Sequence, residues 1–243
     1  YPPEVFHSYY TYVKEKELHL ERSLEDVHYA NMWAYTIFYM TDAWRASDIV
    51  FKTPSIELDL VYIESLEWFI TNSLTLEQCQ KIINQLYLAF KPIKASKNNA
   101  FVTFIVEPDL VEPLATALII SELHRRSNNE HFLFSTFISG KTVKYVKTNG
   151  SRKHMKFFDR IPELKNFKSQ KLNNSTLSYF FYSITEADDE DSDIALTLTQ
   201  QVRSHEKPET TAIYVQATNT DGSLNRVSYN LFRRGHFGWL YNY

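Results

Sequence analysis

A histidine and a tyrosine nine residues apart, His205 and Tyr214, are the residues best suited to chemistry in this chain. A tyrosine hydroxyl can act as a nucleophile that forms a covalent intermediate, and a nearby histidine can hold or move a proton. The two residues lie on either side of Lys207-Pro208, where the proline ends a helix predicted to begin near residue 192. A surface histidine and a core tyrosine on an ordinary pair of helices would give the same spacing.

Residues 203–214 resemble the C-terminal signature of the tyrosine recombinase (phage integrase) family. The family reads L-G-H-S-S-x-x-T-T-x-x-Y, and this chain reads R-S-H-E-K-P-E-T-T-A-I-Y. His205, Thr210, Thr211 and Tyr214 match in register, while Arg203 stands in the family's Leu-Gly segment. In the family, the tyrosine attacks a DNA phosphodiester while arginines stabilise the charge that builds on the non-bridging oxygens.

A second matching segment contains Arg45. The family carries its first catalytic arginine in T-G-L-R-x-S-E-L, and this chain has R-A-S-D-I from Arg45 onward, with Asp42 and Ala43 where the family has Thr and Gly. The resemblance implies that Arg45 binds a DNA phosphate at the centre of a cleft. The alternative is a surface ion pair between Arg45 and Asp42 or Asp48.

A third segment, K-P-I-K-A-S-K-N-N-A-F-V-T-F-I-V, predicts a β-hairpin with Ser-Lys-Asn-Asn at its turn. The family's hairpin carries a lysine that enters the minor groove and protonates the leaving 5′ oxygen. Lys94 stands at that position and Lys97 at a companion position. Because lysines are also common at solvated turns, a purely structural hairpin is the alternative.

The family's central motif, H-x-L-R-H, is replaced here by Ser175-Thr176-Leu177-Ser178-Tyr179. Ser175 stands for the histidine and Ser178 for the arginine, and an uncharged serine cannot replace a guanidinium beside a reacting phosphate. The resemblance therefore implies a fold without recombination chemistry, in which none of the retained family positions is catalytically active. Those positions are Arg45, Lys94, His205 and Tyr214.

The pattern as a whole also resembles the recombinase-derived master repressors of some prophages, of the MrpR type. This resemblance implies a sequence-specific double-stranded DNA-binding protein that represses transcription and controls lysogeny, and it implies no metal and no cofactor. An active integrase with Tyr214 as nucleophile is the alternative from the enzyme class. A protein-interaction module is a further alternative, and it would not need an exposed basic stretch.

The most basic part of the chain runs from Lys141 to Lys171, with ten Lys or Arg against Asp159 and Glu163. Duplex DNA carries about one charge per 1.7 Å of its axis, so such a surface gains affinity by releasing counterions. A solvated loop is the alternative. The predicted DNA contacts are Arg152, Lys153 and Lys156, together with Arg45, Lys94, Lys97, Arg203 and His205.

The composition limits which classes of protein the chain can belong to. With 243 residues, 44% of them hydrophobic, and a net charge of -3, the chain is typical of one globular domain. Cys79 is the single cysteine, so an internal disulfide is excluded. The sequence contains no apolar run of the roughly 18 residues that a membrane span needs. We expect a cytoplasmic, DNA-associated protein of a bacterial host that does not bind membranes.

The resemblance implies a mixed, mainly α-helical fold with a small antiparallel β-sheet, like the tyrosine recombinase catalytic domain. That domain would cover residues 1–218, with a helical insert at about 54–91. Residues 219–243 would form a linker and a docking helix that packs in cis or supports self-association. We expect the usual N-terminal clamp domain to be absent from this chain.

Hydrophobic spacing predicts the individual elements. Residues 4–25 and 27–40 are predicted to be helical, the second fully buried. Helical spacing also recurs at Leu58, Val61, Tyr62, Leu66 and Phe69, and Thr75 with Gln78 predicts a capped helix start. Residues 107–126 predict an amphipathic helix broken by proline, and residues 131–135 predict a short strand.

Overall fold

The computed structural model describes residues 1–41, 45–90, 106–139, 144–145 and 152–185. This part of the chain is mainly helical, which confirms the predicted class. Its α-helices are α1 (Pro3–Lys14), α2 (Lys16–Glu25), α3 (Val27–Thr41), α4 (Ala46–Lys52), α5 (Trp68–Thr71), α6 (Leu76–Ala89), α7 (Pro108–Ser127), α8 (Arg152–Met155) and α9 (Ser169–Thr185).

Shorter elements connect these helices. Two two-residue strands, β1 (Ile138–Ser139) and β2 (Lys144–Tyr145), pair antiparallel with Ile138 opposite Tyr145. The hairpin predicted around Lys94 and Lys97 lies outside the described residues, so the predicted small sheet stays a prediction. The 3-10 helices are Leu58–Leu60, Ser135–Phe137, Lys156–Phe158 and Pro162–Asn166.

Helix α3 is the centre of the fold, as its apolar and aromatic sequence predicts. Every residue from Tyr29 to Met40 is buried, and the helix packs against α2, α7, α8 and α9. A helix that is apolar on all sides must be surrounded by other elements. The indole of Trp33 donates a hydrogen bond to the carbonyl of Val13 at 2.8 Å, which ties α3 to α1.

Two helices differ from their predicted bounds. The segment predicted to be helical over residues 4–25 forms two helices, α1 and α2, that meet at Glu15 (φ -73°, ψ 78°). The break predicted in the helix after Glu107 is wrong, because α7 continues through Pro113. An interior proline costs about 3 kcal/mol. The burial of α7 residues between Leu110 and Leu123, at about 1.5 to 3 kcal/mol for each large aliphatic side chain, outweighs that cost.

The predicted helix over residues 58–69 is wrong, because only two short helical pieces form there. Distant side chains bond the backbone within and just before this segment. Gln85 bonds both the N–H (2.7 Å) and the carbonyl (3.2 Å) of Glu57, and Gln78 donates to the carbonyl of Val61 at 2.9 Å. The start of α6 is confirmed, because Thr75 and Gln78 form a reciprocal capping box.

The strand predicted at residues 131–135 is also wrong, since this segment turns into a 3-10 helix. Leu133 and Phe134 are consecutive and both buried. A strand would direct them to opposite faces, whereas the turned backbone at Phe134 (φ -96°, ψ 42°) places both in the core. Asn31 of α3 donates to the carbonyl of Leu133 at 3.3 Å and fixes this turn.

Candidate nucleic-acid interface

The part of the basic stretch that the structure describes, residues 152–171, forms a basic surface. Seven cations between residues 152 and 171 are exposed, and Asp159 and Glu163 are the only acids in that range. The surface includes three of the residues predicted to contact DNA, in α8 and the 3-10 helix that follows it. The seven cations are Arg152, Lys153, Lys156, Arg160, Lys165, Lys168 and Lys171.

Buried aromatic side chains hold this surface on the fold. Phe157 and Phe158 are fully buried, and Phe157 packs against Tyr12 with ring centroids 5.1 Å apart. The hydroxyl of Tyr12 donates a hydrogen bond to the carbonyl of Phe157, and that of Tyr9 donates to Leu164 at 3.0 Å. The basic surface is therefore an ordered layer on α1 and α3, which argues against the solvated loop.

The seven cations differ in the contacts that they make within the fold. Arg160 donates to the carbonyl of Leu18 at 3.3 Å, Lys165 lies 4.0 Å from Asp159, and Lys171 lies 4.7 Å from the ring centre of Tyr1. None of the ion pairs found among the described residues involves the three cations of residues 152–156. Their charges are available to an anionic partner.

A buried histidine, His154, anchors α8 on α3, and α8 carries the exposed cations Arg152 and Lys153. Its side chain is 1% exposed and stacks on Phe137 with ring centroids 4.1 Å apart. The hydroxyl of Thr136 donates to Asn31 at 2.8 Å, so it accepts from Nε2 of His154 at 2.9 Å. This network leaves Nδ1 of His154 unprotonated, and the buried Nδ1 finds no hydrogen-bond partner among the described residues. The imidazole is therefore held in its neutral form.

Acid is expected to destabilise the fold through His19 and His154. Burial lowers the pKa of each imidazole to about 4, and the nearby charges of His28 and Lys153 act in the same direction on His154. Because the folded state prefers the neutral form, the stabilisation is complete above the unfolded pKa of 6.5 and is lost as the pH falls towards 4. Linkage predicts a loss of about 2 kcal/mol per histidine between pH 7.5 and pH 5.

Urea unfolding at these two pH values measures this effect. In a His154→Gln variant, the difference in free energy of unfolding between pH 7.5 and pH 5 should shrink by about 2 kcal/mol, because one titrating group is gone. An unchanged difference would show that His154 titrates alike in the folded and unfolded chain.

Arg45 lies at the position that precedes α4. Its backbone is extended (φ -71°, ψ 146°) and its side chain is half-buried. The ion pairs of the described residues do not include one between Arg45 and Asp48, and Asp42 lies outside the described residues. Its role as a phosphate ligand stays a prediction.

The structure does not place Arg45 beside the cations of α8. His154 packs against His28 in the first turn of α3 (ring centroids 5.2 Å apart), whereas Arg45 follows the last turn of that helix. The thirteen residue steps from His28 to Thr41 span about 20 Å at 1.5 Å per step.

The hypothesis that Arg45 binds a DNA phosphate predicts that Arg45→Ala weakens DNA binding roughly ten- to a hundredfold, as loss of a charge-assisted contact of about 1.5 to 3 kcal/mol implies. Arg45→Lys should weaken it less, because lysine keeps the charge but not the paired N–H donors. Fluorescence anisotropy and thermal melting on the same preparation check this result. A lower melting temperature with unchanged affinity would instead make Arg45 a structural residue.

Ser175 and Ser178 are both buried on α9. The hydroxyl of Ser175 donates to the carbonyl of Lys171 at 3.0 Å and accepts from the nitrogen of Tyr1 at 2.6 Å. Between them, Thr176 donates to the carbonyl of Tyr39 at 2.6 Å. These positions contribute to the packing of α9 on α1 and α3, and a guanidinium at Ser178 would be buried there.

The other predicted site residues belong to segments outside the described ranges. Lys94, Lys97, Arg203, His205 and Tyr214 lie outside the described residues. The described ranges hold no group of three His, Cys, Asp or Glu side chains arranged to bind a metal ion. They also hold no helix both long and apolar enough to cross a bilayer.

Sequence reasoning missed a buried carboxylate, Glu122 of α7. Arg125 bonds both of its oxygens at 2.8 Å, and Arg126 bonds one of them at 2.8 Å. Burial alone would raise the pKa of Glu122, but the two arginines hold it below its usual range. The sequence does contain a signal for these ion pairs, because arginines three and four residues after a glutamate share its helix face.

Comparison with known proteins found no matching protein family, no matching curated protein and no matching solved structure.

Proposed function

We propose that this protein binds double-stranded DNA through the basic surface, on a recombinase-derived fold that has lost recombination chemistry. The observation that carries the proposal is the ordered set of exposed cations, of which Arg152, Lys153 and Lys156 form no ion pair within the described residues. Lysine and arginine on such a surface neutralise phosphates and release counterions.

The loss of chemistry is the second part of the proposal. It rests on the resemblance of the segments around Arg45 and Tyr214 to the tyrosine recombinases, and on the buried serines at 175 and 178. A neutral serine engaged in helix packing cannot stabilise charge on a phosphodiester. We infer that the protein acts as a sequence-specific repressor of the prophage type.

An electrophoretic mobility shift with genomic fragments tests DNA binding. Retarded bands that resist unlabelled non-specific competitor support a specific regulator, because specific sites typically bind 10³-fold or more tightly than random DNA. Absence of any shift at about 50 mM salt, where phosphate contacts are strongest, would contradict the proposal.

The Tyr214→Phe variant tests the loss of chemistry. We expect DNA affinity to change less than about threefold, since an aromatic ring of the same size remains. A nicked suicide DNA substrate, which traps covalent intermediates, should give no protein–DNA adduct with either protein. An adduct formed by the unmodified chain and lost in Tyr214→Phe would establish the active recombinase instead.

A further inference from the structure

An acidic strip with two exposed apolar side chains lies between α4 and α5. From Glu57 to Glu64, buried and exposed residues largely alternate, and the exposed ones comprise three acids, Leu60 and Tyr62. Tyr62 is 84% exposed and Leu60 is 51% exposed. We call the exposed set the acidic strip: Glu57, Asp59, Leu60, Tyr62 and Glu64.

The backbone beneath the acidic strip is fixed. Arg126 donates to the carbonyl of Ile56 at 2.9 Å, and the side chains of Gln85 and Gln78 bond the backbone of Glu57 and Val61. Tyr62 itself has a positive φ of 58°, which is uncommon for a bulky residue. A fixed backbone presents Tyr62 to solvent with little further loss of conformational entropy on binding.

The segment that carries the strip has no cation in its own sequence, and the described cations nearest to it, Arg126 and Lys81, already pair with Glu122 and Glu77. The sequence contains no Lys, Arg or His from residue 53 to residue 80. Lys81 of α6 is engaged with Glu77 at 2.9 Å. Three acids beside an exposed tyrosine and leucine therefore fit a surface that is basic and offers an apolar recess.

The same chain presents such a recess on the basic surface. An open cavity of about 340 Å³ is lined by two lysines, Lys165 and Lys168, by Met155 and Phe167, and by Asn166 and Asp159. Lys165 lies 4.0 Å from Asp159, at the edge of ion-pair distance. The cavity is large enough for one aromatic side chain, and both of its lysines are exposed.

We propose that the acidic strip of one copy docks on this cavity of a second copy, with Tyr62 in the cavity and Asp59 and Glu64 facing Lys165 and Lys168. Tyrosine is among the side chains that most often dominate a protein interface. The contact joins two different surfaces, so it is head-to-tail. It uses the lysines near α9, whereas the proposed DNA contacts are Arg152 and Lys153 of α8 and Lys156 of the 3-10 helix that follows it.

Sedimentation velocity of the whole chain tests this contact. The strip variant carries Asp59→Asn, Tyr62→Asn and Glu64→Gln, where asparagine tolerates the positive φ of residue 62. The cavity variant carries Lys165→Gln and Lys168→Gln. We expect self-association of the unmodified chain at low salt, and an association constant at least about tenfold lower in each variant, a loss of about 1.4 kcal/mol.

Mixing the two variants gives the decisive result. A head-to-tail contact predicts a 1:1 dimer in the mixture, because the intact cavity of the strip variant meets the intact strip of the cavity variant. Tyr87→Asn removes another exposed tyrosine near the end of α6 and should leave association unchanged, and melting temperatures check that each variant is folded.

Three results would overturn the proposal. These are an unmodified chain that is monomeric at low salt, variants that still associate on their own, and a mixture that forms no dimer. Variants that still associate on their own would place the interface elsewhere on the chain. None of these outcomes bears on DNA binding, which is measured separately with substitutions at Arg152, Lys153 and Lys156.

Discussion

Replacing Glu122 by alanine is expected to lower the free energy of unfolding by about 3 kcal/mol. The carboxylate is fully buried and accepts three hydrogen bonds from Arg125 and Arg126. Breaking a buried ion pair typically costs about 3 to 5 kcal/mol, because the remaining charge loses its partner. The lower value applies here, since the side chain of Arg126 is 42% exposed and can turn towards water.

The Glu122→Ala variant should also loosen the backbone beneath the acidic strip. Arg126 bonds both Glu122 and the carbonyl of Ile56, so the glutamate holds the guanidinium that fixes the backbone before the acidic strip. Urea unfolding measures the total loss, and hydrogen exchange at residues 56–64 measures the local one. We expect faster exchange in this segment even at denaturant concentrations where the variant is folded.

Glu130→Ala is the matched control. Glu130 is exposed and contributes its backbone carbonyl to Arg125 at 2.7 Å, a contact that alanine keeps. Its substitution should change the free energy of unfolding by less than about 0.5 kcal/mol. A loss below about 1 kcal/mol for Glu122→Ala would show that the arginines find other partners and that this carboxylate is not needed for stability.

The elements predicted correctly are those whose signals are local. The aromatic run of α3 indicates a helix buried on all sides, and the Thr75 and Gln78 pair marks the start of α6. Both depend on residues within a few positions of one another. Capping and hydrophobic periodicity are therefore readable from the sequence without knowledge of the neighbouring elements.

The failed predictions depend on distant partners. Residues 58–69 have helical spacing, yet Gln78 of α6 bonds the carbonyl of Val61 within this segment. Gln85 of α6 and Arg126 of α7 bond the backbone just before it, at Glu57 and Ile56. Pro113 is a helix breaker by type, but it lies in a helix whose burial outweighs the cost. In both cases the deciding contacts lie many residues away, where periodicity carries no information.

The candidate site likewise has features that local sequence predicts and features that depend on distant contacts. Charge alone predicts that Arg152, Lys153 and Lys156 are exposed, and the structure bears this out. Their attachment through His154, by way of Thr136 and Asn31, has no sequence signal, because those residues come from three separate elements. The spacing between Arg45 and the basic surface likewise follows from the packing of α8 on the first half of α3.

The salt dependence of DNA affinity tests the central claim most directly. Binding of a fluorescent duplex to the unmodified chain should fall steeply with salt, with a slope near 0.9 per phosphate contact in a plot of log affinity against log salt concentration. The triple variant Arg152→Gln, Lys153→Gln and Lys156→Gln should reduce that slope by about 2 to 3 units, because three phosphate contacts are lost.

A matched control, Lys52→Gln, removes an exposed cation of α4. It should change the slope by no more than about 1 unit, the value of one contact. An unchanged slope in the triple variant, with both proteins folded, would contradict the assignment of the basic surface as the DNA-binding site.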